Sequence, residues 1–172
     1  MTTSEPGSEV SEEAREEFRA TMSRLASGVS VVAVRHGNQD LAMTATSLVS
    51  VSLDPPTVLF CVHSDARLRE AVEPGARWAA SILGGDALAA ADWLATPGRP
   101  AFGQLATIAH RRGEVSGAAI LDGASAWLEC ETEWIRTAAS HDVVVGRVLA
   151  AARVPGAGGA ILHFHGRMTT IP

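Results

Sequence analysis

Three apolar, β-rich segments follow one another in this chain with no room between them for a helix. Val29-Ser30-Val31-Val32-Ala33-Val34 runs into the turn cluster Gly37-Asn38-Gln39-Asp40, a segment from Leu41 to Ser52 returns, and Asp54-Pro55-Pro56 breaks it before Thr57 to His63. Parallel neighbours need a crossover of a dozen or more residues, whereas antiparallel strands are joined by short turns. Connections this short therefore point to an antiparallel meander.

The remainder of the chain fits the same plan. Trp78 to Leu83, Val143 to Leu149 and Ala160 to Phe164 are strand-like, and Leu128, Cys130, Thr132 and Trp134 alternate with Glu129, Glu131 and Glu133 as in a strand with one wet face. Helical periodicity is confined to three places. Ser11 is a candidate N-cap ahead of Glu12 and Glu13, and Phe18, Met22, Leu25 and Ala26 form one apolar stripe, predicting an amphipathic helix that ends at Gly28 and packs on the core. Asp65 to Val72, closed by Pro74-Gly75, and Asp86 to Ala95, with Asp86 as a candidate cap, are short connecting helices. Phe102 to Gly117 fits a strand or a loop, and Pro155-Gly156-Ala157-Gly158-Gly159 reads as a turn. The expected fold is mainly β, an antiparallel barrel with an N-terminal helix and short connecting helices, rather than a doubly wound sheet. Residues 1–10 are expected to be a disordered lead and 11–172 a single domain, since 172 residues suffice for one substantial core.

Composition removes several function classes. The net charge of -5 disfavours nucleic acid as the main partner, and no apolar run approaches the ~20 residues of a membrane-spanning helix. The acidic start lacks the basic-then-apolar pattern of a secretory signal, so the expected location is cytoplasmic. All 14 basic residues are Arg, which removes Schiff-base lysine chemistry, and the absence of Tyr removes phenolic acid catalysis. The chain has neither GxxxxGK[ST] nor GxGxxG after a first strand, and no GxSxG elbow. Cys61 and Cys130 show no CxxC spacing, and Cys61 sits in an apolar strand where a thiol is inert. His163 and His165, two apart on an expected strand, would share a face and form half of a metal site with His141 or His63; structural histidines are the favoured reading and no metal is assigned.

The run Met43 to Pro56 crowds five hydroxyls, those of Thr44, Thr46, Ser47, Ser50 and Ser52, around a strand end. Such a stretch can donate hydrogen bonds to a phosphate or to the polar edge of a ring, with Arg67 supplying charge. The plain alternative is a Ser/Thr-rich edge strand.

Several segments in fixed order carry a resemblance. Phe18-Arg19-Ala20-Thr21-Met22, Ala26-Ser27-Gly28-Val29-Ser30-Val31-Val32, Met43-Thr44-Ala45-Thr46-Ser47 and Ser50-Val51-Ser52-Leu53-Asp54-Pro55-Pro56 are followed by Trp78 to Leu83, Phe102, Leu121-Asp122-Gly123-Ala124, Leu128-Glu129-Cys130 and Val145-Gly146-Arg147-Val148. From Phe18 to Ile171 the chain resembles the flavin reductase family, short-chain NAD(P)H:flavin oxidoreductases built on an FMN-binding split barrel.

The resemblance implies flavin contacts at Thr44, Ala45, Thr46, Ser47, Ser50, Val51 and Ser52, a next flavin-binding stretch at Cys61, Val62, His63 and Ser64 with Arg67 at the phosphate, and an aromatic near the nucleotide at Phe102. It implies a catalytic His141 beside the nicotinamide, FMN or FAD with NADH or NADPH as reductant, a homodimer, and a flavin-dependent monooxygenase as partner. The family's usual Asn is Thr46 here, its Gly-Asp-His reads Ala139-Ser140-His141, its Pro-Leu-Leu reads Ala119-Ile120-Leu121, and its aromatic near the C-terminus is Met168. Asp142 leaves a carboxylate next to His141, expected on the opposite face of the strand. The competing readings are a flavin carrier or sensor without NAD(P)H turnover, and another split-barrel oxidoreductase that uses flavin or deazaflavin.

Overall fold

The computed structural model describes residues 10–172 apart from Ala101, so the lead expected over 1–10 lies, except for Val10, outside the described residues. Helix α1 (Glu12–Met22) starts where its cap predicts, with Ser11 Oγ accepting from the Ala14 N–H at 3.2 Å. It ends at Met22, six residues before Gly28. Ser23 closes it, its N–H on the Arg19 carbonyl and its hydroxyl on that of Ala20, and Ser27–Gly28 are drawn off as strand β1. The stripe expected in the core is also on the surface: no residue of α1 is buried, and Phe18 and Leu25 are 68% and 59% exposed.

Strands β2 (Ser30–His36) and β3 (Gln39–Ala45) form the expected hairpin, with His36 opposite Gln39 across the Gly37-Asn38 turn. The returning segment read as one strand is two. Beyond Ala45 the chain leaves β2 at Thr46–Leu48 and re-enters the sheet as β4 (Val49–Leu53), which pairs with β5 (Pro56–His63). Then come α2 (Arg67–Ala71), β6 (Arg77–Leu83), α3 (Leu88–Ala95), β7 (His110–Arg112), β8 (Ala119–Leu121), β9 (Ala124–Ala138), β10 (His141–Arg153), β11 (Ala160–Phe164) and β12 (Arg167–Ile171). Strand β12 had no sequence signal. Asp86 sits in a single 3-10 turn and does not cap α3, whose first turn has no side-chain cap.

The fold is mainly β, antiparallel, with few helices. A seven-stranded sheet runs β3-β2-β6-β9-β10-β5-β4, beside a three-stranded sheet β1-β11-β12 and the pair β7-β8. One apolar cluster joins Leu41 and Ala45 of β3 to Val58, Phe60 and Val62 of β5, so strands near opposite ends of the order share a core and the sheet must curl. Val31 and Ala33 face a second cluster with α3 while Val32 and Val34 face the first, which explains the unbroken apolar run of β2.

Edge strand β3 is capped by side chains rather than by another strand. The Ala42 N–H donates to Gln104 Oε1 and the Ala42 carbonyl accepts from Arg99, closing one pairing position of an edge that would otherwise stay open. Glu129, expected on a wet face, is buried instead. Its Oε1 accepts from the Val115 and Ser116 amides and the Ser116 hydroxyl, pinning the loop between β7 and β8.

Trp78 is fully buried, donates from Nε1 to Thr132 Oγ1 at 3.0 Å and meets the Phe60 ring edge-on at 5.0 Å. Its indole lies over Gly146, where a Cβ would approach within 2.6 Å of the ring. Gly146→Ala should therefore force the indole aside and destabilise the protein by about 1–3 kcal/mol, lowering the midpoint of a thermal melt by roughly 2–4 °C per kcal/mol. An unchanged midpoint would contradict this packing.

Candidate functional site

The break between β3 and β4 creates a corner whose polar groups are not absorbed by the sheet. Among the described residues, the amides of Thr46, Ser47 and Leu48 donate to no backbone or side-chain acceptor. The corner is nevertheless held in place, because Ser47 Oγ accepts from the Cys61 N–H at 2.9 Å and ties it to β5. Thr44 spends its hydroxyl on the Ala91 carbonyl at 2.7 Å, and Ala45 is buried behind the corner.

Thr46, Ser47 and Cys61 open on a groove of about 850 Å³. Leu59 and Val49 form apolar wall beside them, Phe18, Met22 and Leu25 face them from α1 and the segment after it, and the lining also takes in Arg15 and Arg19 of α1, Ser23, Ser27, Gly166 and His163 of β11. Sequence reasoning missed this contribution of α1, since an amphipathic stripe facing a groove has the same period as one facing a core. Leu59, Cys61 and His63 share one face of β5 by strand alternation, with Val58, Phe60 and Val62 turned to the core.

The face continues onto β10. His141 pairs with His63 across the ladder, their rings edge-to-face at 5.1 Å, with Ser140 Oγ within hydrogen-bond distance of His141 Nδ1 at 3.1 Å. Asp142 takes the opposite face, as expected: it is buried and bonded to Arg69, while His141 is exposed. The hydroxyl of Thr137, opposite it in the β9–β10 ladder, and the Arg69 guanidinium hold the Asp142 carboxyl below the usual carboxylate range against the effect of burial.

The remaining candidates are dispersed. Ser50 and Val51 are exposed on β4, and the Ser52 hydroxyl is engaged with the Asp54 backbone. Val62 is buried in the core, where it cannot touch a ligand in the groove. Ser64 donates its N–H to the Ser140 carbonyl, bracing the turn before His141. Arg67 opens on a different cavity, and Phe102 lies 70% exposed near Asn38 and His110. His163 and His165 do not share a strand face, because His165 sits in the β11–β12 turn with φ 53°. Burial, then the neighbouring Glu129 charge, pushes the Cys130 thiol up to about 12, so this cysteine is not a nucleophile at neutral pH.

The sequence profile of the flavin reductase like domain matches residues 22–172. The chain belongs to that family. It is 36% identical over 163 residues to the NADH-dependent FMN reductase AsuE2 of Streptomyces nodosus subsp. asukaensis, covering 93% of this chain and 86% of that protein. It is 36% identical over 134 residues to the reductase component of the Thermus thermophilus 4-hydroxyphenylacetate 3-monooxygenase, covering 78% of this chain and 82% of the relative. Among solved structures, the NADH:FAD oxidoreductase SgcE6 of Streptomyces globisporus, in complex with NAD and FAD fragments, superposes with a TM-score of 0.85 at 32% identity over 96% of this chain and 98% of that one. The family profile begins at the last residue of α1, so most of the helix that walls the groove precedes it.

The Asp142 carboxylate also sets a pH dependence. Its folded pKa lies below its unfolded one, so its contribution to stability is present above the unfolded value and is lost as pH falls through the folded value. Asp142→Asn should flatten the acid side of the stability-against-pH curve below about pH 4, read by urea titrations at stepped pH. An unaltered acid slope would show that the carboxylate is not so held.

Proposed function

We propose that this flavin reductase family member is an NAD(P)H:flavin oxidoreductase that reduces FMN or FAD and passes the reduced flavin to a partner monooxygenase. The observation that carries this reading is the Thr46–Leu48 corner: three consecutive amides that have no acceptor among the described residues, at the edge of a groove whose other walls are largely apolar. A planar ring with one polar edge matches such a combination. When bound, the flavin supplies the acceptor for the nicotinamide hydride.

The protein's own part is to bind and orient. The corner amides would donate to the polar edge of a bound ring, and the Ser47–Cys61 bond holds those donors in place beforehand. Cys61 packs beside the ring, Thr44, Ala45 and Val62 hold the strands behind it, and Ser50, Val51 and Ser52 border it from β4. His63, Ser64 and Phe102 belong to the nucleotide's periphery, and Arg67 takes the phosphate. His141, opposite His63 at the far end of the same sheet face, would position the dihydropyridine. Supply of reduced flavin to a monooxygenase is supported by the similarity to the Thermus thermophilus reductase component.

The curled seven-stranded sheet is a split barrel in this reading, supported by the core shared between β3 and β5 and by the Ser47–Cys61 tie. The working form is a homodimer. Phe18, Met22, Leu25, Val49, Val51 and Leu53 are exposed on α1, the segment after it and β4, with Leu53 88% exposed, and a second copy seated there closes the groove's open side. A cytoplasmic location fits Cys61 and Cys130, which form no disulfide with each other.

The test is anaerobic spectroscopy of the purified protein, in which NADH should bleach added FMN or FAD catalytically; flavin that binds but is not reduced would leave only a carrier. His141→Ala should lower NADH turnover or raise the KM for NADH while leaving flavin affinity nearly unchanged, with Asp142→Asn having the smaller kinetic effect. Loss of flavin binding in His141→Ala would defeat that role. Light scattering at micromolar concentration should give twice the 17.9 kDa chain mass, through an interface larger than the ~1,600 Å² of a standard contact, and a monomeric mass would remove the dimer.

A further inference from the structure

The turn that carries His141 is strained. Strands β9 and β10 are joined by two residues, Ala139 and Ser140, with Ala138 paired to His141 across the hairpin. Ala139 takes φ 55°, in the left-handed region where its Cβ crowds the following carbonyl and which glycine enters freely. A residue persists there only when its surroundings over-determine it, and such constraints gather at this turn. The Ser140 carbonyl accepts from the Ser64 N–H at 3.0 Å, and Ser140 Oγ lies 3.1 Å from His141 Nδ1.

A second constraint acts from the other face of the sheet. There Arg69 of α2 donates from Nε to the Asp142 carboxylate and from Nη1, at 2.6 Å, to Glu73 just beyond the helix. The Arg69 side chain is 19% exposed and that of Asp142 5%, so the pair is largely shielded from water, and the planar guanidinium fixes direction as well as distance. Asp142 Oδ1 and the Ser64 hydroxyl are both buried without a hydrogen-bond partner. A buried ion pair left incompletely satisfied adds little stability, since an apolar pair in its place is often as stable. What it supplies is orientation. Residue 141 lies between two tethered neighbours, Ser140 bound to Ser64 and Asp142 bound to α2, so the direction of its Cβ is fixed. The same short helix follows closely on His63, whose carbonyl accepts from the Ala66 N–H at 2.9 Å, so α2 serves both imidazoles.

We propose that the strained Ala139–Ser140 turn and the Arg69–Asp142 clamp together hold the His141 imidazole in the orientation used toward the nicotinamide, with Ala139 and Arg69 as positioning residues. The inference rests on the reading of the protein as an NAD(P)H:flavin oxidoreductase and adds to it what aims the imidazole. Both residues act through His141 and leave flavin binding to the groove.

Strain and positioning predict opposite signs for one substitution. Ala139→Gly, at an exposed site, relieves the left-handed backbone and should keep or raise the midpoint of a thermal melt. In freeing the turn it should lower kcat/KM for NADH by about 3- to 10-fold, while FMN affinity by fluorescence titration changes less than about twofold. Arg69→Gln should give the same kinetic pattern, and Arg69→Lys, which keeps the charge without the fork, should recover part of the loss. If Arg69→Gln does not fold because it strands a buried carboxylate, Ala139→Gly carries the test alone. Each loss should be smaller than that of His141→Ala, and Ala139→Gly should cost nothing further in the His141→Ala protein, because both act on one group. An unchanged kcat/KM for NADH in Ala139→Gly, a matching loss of FMN affinity, a lowered melting midpoint, or a full further loss in the His141→Ala protein would each overturn the device and leave the proposed function standing. A wild-type protein that does not oxidise NADH with FMN or FAD would overturn the function and the device together.

Discussion

The contact of the Trp78 indole with Gly146 sets the geometry on which the rest of the molecule depends. Trp78 projects from β6 across β9 onto β10, with its one polar atom satisfied by Thr132 and its edge against Phe60 of β5. Four strands therefore meet at a single side chain. The β9–β10 register shifts between Val145 and Gly146, where the indole needs room. From that point β10 stays in step with β5 out to His141 opposite His63, so the position of the exposed imidazoles follows from packing several residues away.

The chemistry of the molecule lies where backbone pairing stops. The sheet satisfies the amides along β2, β5 and β10, but Thr46, Ser47 and Leu48 fall between two strands that pair with different neighbours. A sheet interrupted in this way leaves donors that no described residue accepts, and the Ser47–Cys61 bond ties the corner that carries them to β5. The same economy operates at the edge of β3, where Gln104 and Arg99 satisfy Ala42 and so bring a guanidinium into a cavity without any acid. Edge protection and cation placement are one arrangement.

Much of this was legible in the residues. The short turns after Val34 and Ser52 required antiparallel pairing, Ser11 marked the helix start, and the hydroxyl-rich run located the corner that opens on the groove. Other features were misread for identifiable reasons. A period-3.6 stripe on α1 states that one face is apolar without stating what it faces, and Glu129 is charged yet buried because a distant loop supplies its donors. The segment from Leu41 to Ser52 reads as continuous because it contains no Gly, Pro, Asn or Asp to mark a turn, while the break between its two strands depends on partners elsewhere in the chain.

The sequence by itself determined the pairing sense of the strands, the local caps and turns, and the residue types from which a site can be made, because each depends on neighbours within a few positions. Only the tertiary structure decided which of those residues meet. It placed His141 beside His63, 78 positions apart in the chain, removed Val62 into the core, separated Arg67 from the groove and gave it Arg99 as company. Those outcomes depend on the register of long-range strand pairs and on the curl that brings β3 and β5 onto one core, and a one-residue slip in any ladder would turn every side chain to the other face.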